Sequence, residues 1–269
     1  MNPEPYHTYI IKGGQQGADR LAILANVMWP FTLPFLQNAG LREGMKCLDV
    51  GCGNGEITKR IASIIGPGGH ITGVDFDPSV INIAENGGGI PDNVQFKVMD
   101  IETEAPEHDT YDFIFCRFIL SHLQSPLSAL EKLNQSLRTD GIMAVEDVDF
   151  RGHFSHPPSH AFDTYVHWYE QVGRSKGANP FIGPSILEML SLPGYEDIKM
   201  NVVLPTFYNG DGKRMALLTL KAIRDAVISA DIATEEEVDI IIDELERYTN
   251  EDLSMMSLPR IFQVSSKRN

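Results

Sequence analysis

Glycines and acids stand at intervals that suit a nucleotide. Gly51, Gly53 and Gly55 follow the apolar run 46–50 and precede a helical pattern at Ile57, Ile61, Ile64 and Ile65. Strand, glycine turn and helix in that order open a nucleotide-binding α/β unit. The glycines can take φ > 0 and let backbone come within contact distance of a ligand. The next apolar run, 70–74, ends at Asp75. An acid at that strand tip can accept hydrogen bonds from both hydroxyls of a ribose.

The spacing also separates two kinds of nucleotide. A dinucleotide site uses G-x-G-x-x-G so that a pyrophosphate rests on the helix N-terminus. Here the spacing is G-x-G-x-G, and Glu56 opens the helix. A carboxylate there repels a pyrophosphate and tolerates a cation. Asp49, just before the turn, acts in the same sense. S-adenosylmethionine, a sulfonium nucleoside with an amino group, fits these charges better than NAD.

Four segments in order resemble a known family. Residues 48–55, Leu-Asp-Val-Gly-Cys-Gly-Asn-Gly, look like motif I of the class I S-adenosylmethionine-dependent methyltransferases. Residues 74–78 resemble the family's acidic loop after strand 2, and 98–101 its adenine-binding acid after strand 3. Residues 111–117 resemble strand 4, and 120–123 the helical segment after it. The resemblance spans about residues 41–148, and is nearest to the small-molecule enzymes of ubiquinone and menaquinone biosynthesis.

The resemblance implies a Rossmann-like methyltransferase fold: α/β, with a seven-stranded mostly parallel sheet and helices on both faces. It implies S-adenosylmethionine as cofactor, lying along Gly51, Cys52 and Gly53. Cys52 itself reads as the small structural side chain that the turn needs. Phe76 would pack against adenine, Asp100 would accept from the adenine amino group, and the Ile101 amide would meet a ring nitrogen. Arg117 and Phe118 close the fourth strand on the cofactor side. Arg117 departs from the small or polar residues common there, and its backbone is the part expected to face the cofactor.

These residues need elements to hold them. Strands at 46–51, 71–75, 94–98, 113–116 and 142–146 alternate with helices, which forces parallel pairing with right-handed crossovers. The ligand of such a sheet lies beyond the carboxyl ends of its strands. Asp49, Asp75, Asp100, Arg117 and Glu146 all fall at such ends. Residues 1–40 read as an arm and a helix, 16–29, with Pro30 ending or kinking it, and the resemblance implies that this segment covers the cofactor pocket. Tyr9 and Arg20 could face the pocket, and Arg20 could pair with the cofactor's carboxylate. A solvated helix face is the other reading. Residues 41–269 form the methyltransferase domain, with a cap insertion at 151–192 and a helical insertion at 211–249. Strand 6 is expected over 195–207 and a last strand over 260–265, which the resemblance implies is antiparallel.

Composition narrows the partners. The chain has 269 residues and a formal net charge of −15, and its densest basic patch is Lys267-Arg268. That field repels phosphate backbones, so neither nucleic acid nor an acidic membrane is an expected partner. No run of apolar residues is long enough for a transmembrane helix, and the N-terminus lacks the pattern of a secretory signal. Cys47, Cys52 and Cys116 fall in or beside strands as reduced thiols, which suits a cytoplasmic protein, monomeric or homodimeric.

Methyl transfer needs alignment of nucleophile, methyl and sulfur, and a base when the nucleophile is an oxygen or nitrogen. His122, after strand 4, is one candidate; a structural histidine is the alternative. Glu146 and Asp147, at the end of strand 5, could take a proton or bind an amine. His153, His156 and His160 invite a metal reading, but Pro157-Pro158 breaks the helix a metal pair would need, so no metal is expected. A substrate-facing base is the better functional reading of this group, with His156 as the candidate. Phe150 is the aromatic residue most apt to meet an acceptor. The expected activity is methyl transfer to oxygen or nitrogen, less readily carbon, of a small molecule. A non-catalytic cofactor-binding protein of this fold and an NAD-dependent oxidoreductase are the rivals.

Overall fold

A computed structural model describes residues 14–269. Tyr9 lies outside the described residues. The first helix, α1 (Gly14–Ala39), runs unbroken through Pro30 and Pro34. Both prolines are exposed and sit four residues apart on the solvent side. There the carbonyls that lose their partners can turn to water, so Pro30, expected to end or kink the helix, does not end it.

The core then alternates. β1 (Lys46–Val50), α2 (Glu56–Ile65), β2 (His70–Asp75), α3 (Pro78–Asn86) and β3 (Val94–Val98) come first. β4 (Tyr111–Arg117), α4 (Pro126–Ser136) and β5 (Leu137–Asp149) complete the parallel half. α2 buries Ile57, Ile61 and Ile65 against the sheet, the face its spacing foretold. α3 starts where Asp77 accepts the Ser79 amide at 2.8 Å and Pro78 takes the first turn.

The second half follows: β6 (Ser155–His156), α5 (His160–Ser175), α6 (Gly183–Met189), β7 (Tyr195–Val203) and β8 (Thr206–Phe207). α7 (Gly210–Ser229), α8 (Glu235–Asn250), β9 (Met255–Ser257) and β10 (Arg260–Arg268) end the chain. α8 begins with the capping box of Thr234 and Glu237.

The main sheet has the order β3-β2-β1-β4-β5-β10-β7. It is parallel from β3 to β5, and β10 is antiparallel to both neighbours. Strand order reverses between β1 and β4, so a crevice opens beyond their carboxyl ends. β5 is far longer than its apolar run suggested, because β10 pairs with it from Asp149 to Ile142. The expected single strand 195–207 divides. Its second piece, β8, leaves the main sheet and joins a small sheet of order β6-β9-β8. Among the described residues no helix is long and apolar enough to cross a membrane.

Candidate active site

One cavity of about 400 Å³ lies at the switch point. Its first half is built from turns. Gly51, Gly53 and Gly55 all have φ between 54 and 77, the left-handed region that glycine enters without strain. Their spaces differ. A Cβ on Gly51 would come within 2.8 Å of Ile119, and one on Gly53 within 3.2 Å of Leu21 of α1, both cavity-lining residues. One on Gly55 would lie 2.5 Å from the Phe96 ring, so that glycine serves helix-to-strand packing.

Acids line this half. Asp75 accepts the Gly53 amide on Oδ2 at 3.0 Å and the Asp77 amide on Oδ1 at 3.1 Å. The carboxylate keeps acceptor capacity for a ligand beside these amides. Burial raises the Asp75 carboxyl above its usual range, against the pull of those amides. Asp49 is buried, accepts the Thr58 hydroxyl at 2.6 Å, and is pushed by burial to about 6. Asp100 accepts the Glu102 amide at 2.9 Å and the Thr103 hydroxyl at 3.1 Å. Phe76 and Ile101 line the wall beside it.

Between the halves stand Arg117, Phe118 and His122. Phe118 holds φ 55, a rare conformation for a bulky residue and one that clusters at ligand sites. Its amide donates to Glu146 O at 2.8 Å. The Arg117 side chain, expected to play no part, faces the cavity, and its Nη1 is buried with no hydrogen-bond partner among the described residues. Burial lowers its pKa, while Glu146 and Asp49 oppose that shift. Arg20 also lines the cavity, with Nε and Nη2 donating to Thr219 Oγ1 at 3.3 and 3.1 Å.

The second half is a chamber of aromatic and aliphatic groups. Phe150 stacks on Tyr169 at 4.2 Å between ring centres and 8° between planes. His153 meets Phe150 edge-on at 4.6 Å. Met215 and Met256 add soft surface, and Leu258 and Ile261 close the floor. The small sheet makes this wall: Met256 pairs with Ser155 on one side and Phe207 on the other.

Three expected bases do not reach the cavity. Glu146 is fully buried, with Thr32 donating to Oε1 at 2.9 Å and Gln263 to Oε2 at 2.8 Å. The unforeseen length of β5–β10 pairing places Gln263 directly opposite it. Asp147 is buried too, and braces the turn of Leu120–His122 by accepting the Ser121 amide at 3.2 Å. Burial pushes its carboxyl to about 6. His156 is exposed on β6, turned away from the cavity.

The histidine that does enter is His153. Its Nδ1 lies 3.0 Å from Phe150 O. A carbonyl only accepts, so Nδ1 carries the proton and Nε2 keeps its lone pair. Among the described residues nothing hydrogen-bonds Nε2, and that atom is not sealed off from the cavity. Burial pushes the ring down to about 4, so it is neutral at pH 7. The signal for it was Phe150-x-x-His153, one tight turn beyond strand 5. Met215, Thr219 and Met256 had no such signal.

The fit to a sulfonium nucleoside rests on this chemistry: glycine-lined backbone, an amide-braced acid at the second strand tip, and a buried acid before the turn. The chain matches the family model "Methyltransferase domain" over residues 41–177. The chain belongs to the S-adenosylmethionine-dependent methyltransferases. The NAD-dependent alternative falls with that match. A demethylmenaquinone methyltransferase of Staphylococcus aureus is 29% identical over 108 residues, 40% of this chain and 45% of the relative. The chain thus spans about half the length of the curated relatives it matches. A methyltransferase structure from Aquifex aeolicus superposes with TM-score 0.54 at 22% identity, covering 71% of this chain and 93% of that one. A Haemonchus contortus phosphoethanolamine N-methyltransferase, solved with phosphomonomethylethanolamine and S-adenosylhomocysteine, gives TM-score 0.57 at 18% identity, over 94% and 57%. At such identities the structures speak to fold alone.

Proposed function

We propose that this methyltransferase domain transfers a methyl group to an oxygen or nitrogen of a small acceptor that enters by the aromatic chamber. The single observation that carries the reading is Asp75, braced by two amides beside the glycine turn and lining the same cavity as the chamber. The bound sulfonium would supply an activated methyl group. In this reading Asp75 grips the ribose, Asp100 and Ile101 meet the adenine edge, and Phe76 covers its face. Gly51, Cys52 and Gly53 hold the amino-acid tail by backbone, with Asp49 near its amine. Arg117, whose buried Nη1 has no hydrogen-bond partner among the described residues, joins Arg20 as a candidate for the tail carboxylate, since Thr219 already engages Arg20. His122 and Phe118 separate tail from chamber, and α1 overhangs both.

Calorimetric titration tests this. Wild type should bind S-adenosylmethionine and ignore NAD, and Arg117→Met should weaken the former by about tenfold or more, a charge-assisted hydrogen bond's worth. Equal binding of both nucleotides, or of neither, would sink the reading.

A further inference from the structure

We propose that His153 is the general base of this site, and that the acceptor is a planar apolar molecule carrying a phenolic hydroxyl. This rests on the methyl-transfer reading above and adds the acceptor class to it.

The chamber's chemistry decides the class. Every acid lining the cavity belongs to its nucleotide half: Asp49, Asp75, Asp77, Asp100 and Glu102. The chamber half contributes Phe150, Tyr165, Tyr169, Met215 and Met256, with no carboxylate among its described lining residues. A cationic amine would lose its water there and find no counter-charge. A flat apolar body instead meets ring faces and thioethers. The parallel Phe150–Tyr169 stack presents an aromatic wall of fixed orientation.

The histidine decides the reacting group. The Phe150 carbonyl fixes its tautomer and Phe150, Phe162 and Tyr165 hold its ring, at 4.6, 5.7 and 6.4 Å between centres. Nε2 is left as the chamber's open acceptor, and a hydroxyl is its natural donor. The ionisable groups about the ring are Tyr165 and Tyr169 of α5, Asp149 at the end of β5, and Arg20 beyond Thr219. Asp149 is already committed to Arg151 at 2.7 Å and Arg260 at 2.8 Å, so it does not compete for the proton. For an imidazole pushed down to about 4 by burial, a phenol, with a pKa of about 10, is a far easier proton donor than an aliphatic hydroxyl, which lies nearer the value of about 16 for water. In the step, the phenol oxygen gives a lone pair to the methyl carbon while Nε2 takes its proton. The carbon–sulfur bond breaks and its electron pair stays on sulfur. The products are an aryl methyl ether, a neutral thioether nucleoside and an imidazolium that returns its proton to water.

The test uses the full chain with S-adenosylhomocysteine, 2-naphthol as probe, and 2-methylnaphthalene as the same shape without the hydroxyl. Binding of the thioether nucleoside alone is measured first; its failure would fault the methyl-transfer reading itself. With that nucleoside bound, 2-naphthol should bind about tenfold tighter than 2-methylnaphthalene, and the His153 Nε2 resonance should move on adding 2-naphthol alone. His153→Phe should abolish the preference while keeping nucleoside affinity. With S-adenosylmethionine, His153→Phe should form 2-methoxynaphthalene about a hundredfold more slowly than wild type, the usual worth of a general base. Its residual rate should climb about tenfold per pH unit where wild type is flat, because only free phenolate reacts. His153→Gln serves as a second variant if the phenylalanine destabilises the chain. Nucleoside binding with no discrimination between the two probes would overturn the proposal, as would methylation by both variants at the wild-type rate.

Discussion

The two halves of the cavity are built in opposite ways. The nucleotide half is polar and local: its glycines and acids sit at the carboxyl ends of β1, β2 and β3, each a few residues from a strand it belongs to. The chamber is apolar and assembled from afar, with walls from the end of β5, α5, α7 and β9. In the proposed reading the nucleotide half binds by placing a few acceptors accurately. In the proposed reading the chamber binds by shape and by exclusion of water, with His153 Nε2 facing the acceptor. Function needs both within one volume, and the sheet's switch point is where that becomes possible.

Variants that separate the halves test the contrast, and the largest effect belongs to the chamber. Phe150→Ala should cost about 3–5 kcal/mol of stability, the range for truncating a buried aromatic. Urea unfolding measures that, while titration should find S-adenosylhomocysteine affinity unchanged. A joint loss would mean that the halves do not act separately.

The next effect sets the buried acids against the histidine. Asp49 and Asp147 have carboxyls raised to about 6, so between pH 4 and 6 the native chain holds more protons than the unfolded one. Stability therefore falls as pH rises through that window, by about 3 kcal/mol for each acid. His153 has the opposite sign: its folded value lies near 4, below the ordinary 6.5, so stability rises as pH climbs through 4 to 6.5. Wild type should thus decline gently with pH, and His153→Gln steeply. Parallel urea midpoints for the two across that range would refute these assignments.

Asp75→Ala should weaken S-adenosylmethionine binding by about 1–3 kcal/mol with the chamber intact, since hydrogen bonds to a charged group are lost. Calorimetry reads it, and unchanged affinity would remove Asp75 from the ribose site. The smallest effect is expected at His156→Ala. An exposed side chain away from the cavity should change stability by less than about 0.5 kcal/mol and leave turnover alone.

The same contrast explains what could be read from the chain. Glycine spacing and Asp75 after an apolar run are local facts, and they foretold β1, β2 and α2. The parallel sheet followed from alternation. What failed to show depended on long-range pairing. Glu146 looked like a crevice acid able to take a proton or bind an amine, and instead β10 brought Gln263 against it and α1 brought Thr32. His156 looked equivalent to His153, because nothing in their spacing reveals which one the tight turn after β5 folds inward. Pro30 looked like a terminator, and its exposure made it harmless. Met215 and Met256 carry no motif at all; only the small sheet and α7 bring them to the chamber.

That small sheet also bears on how the molecule is assembled. Met256 must find Ser155 and Phe207, partners distant along the chain, and each pairing closes a long loop before it yields any contact. The strand–helix units around Asp75 close short loops instead. The nucleotide half can therefore gather while the chain is still being made, whereas the chamber waits for the final strands. A chain cut before β9 would keep the strand–helix units around Asp75 in its sequence and lose the wall that Met256 gives the chamber.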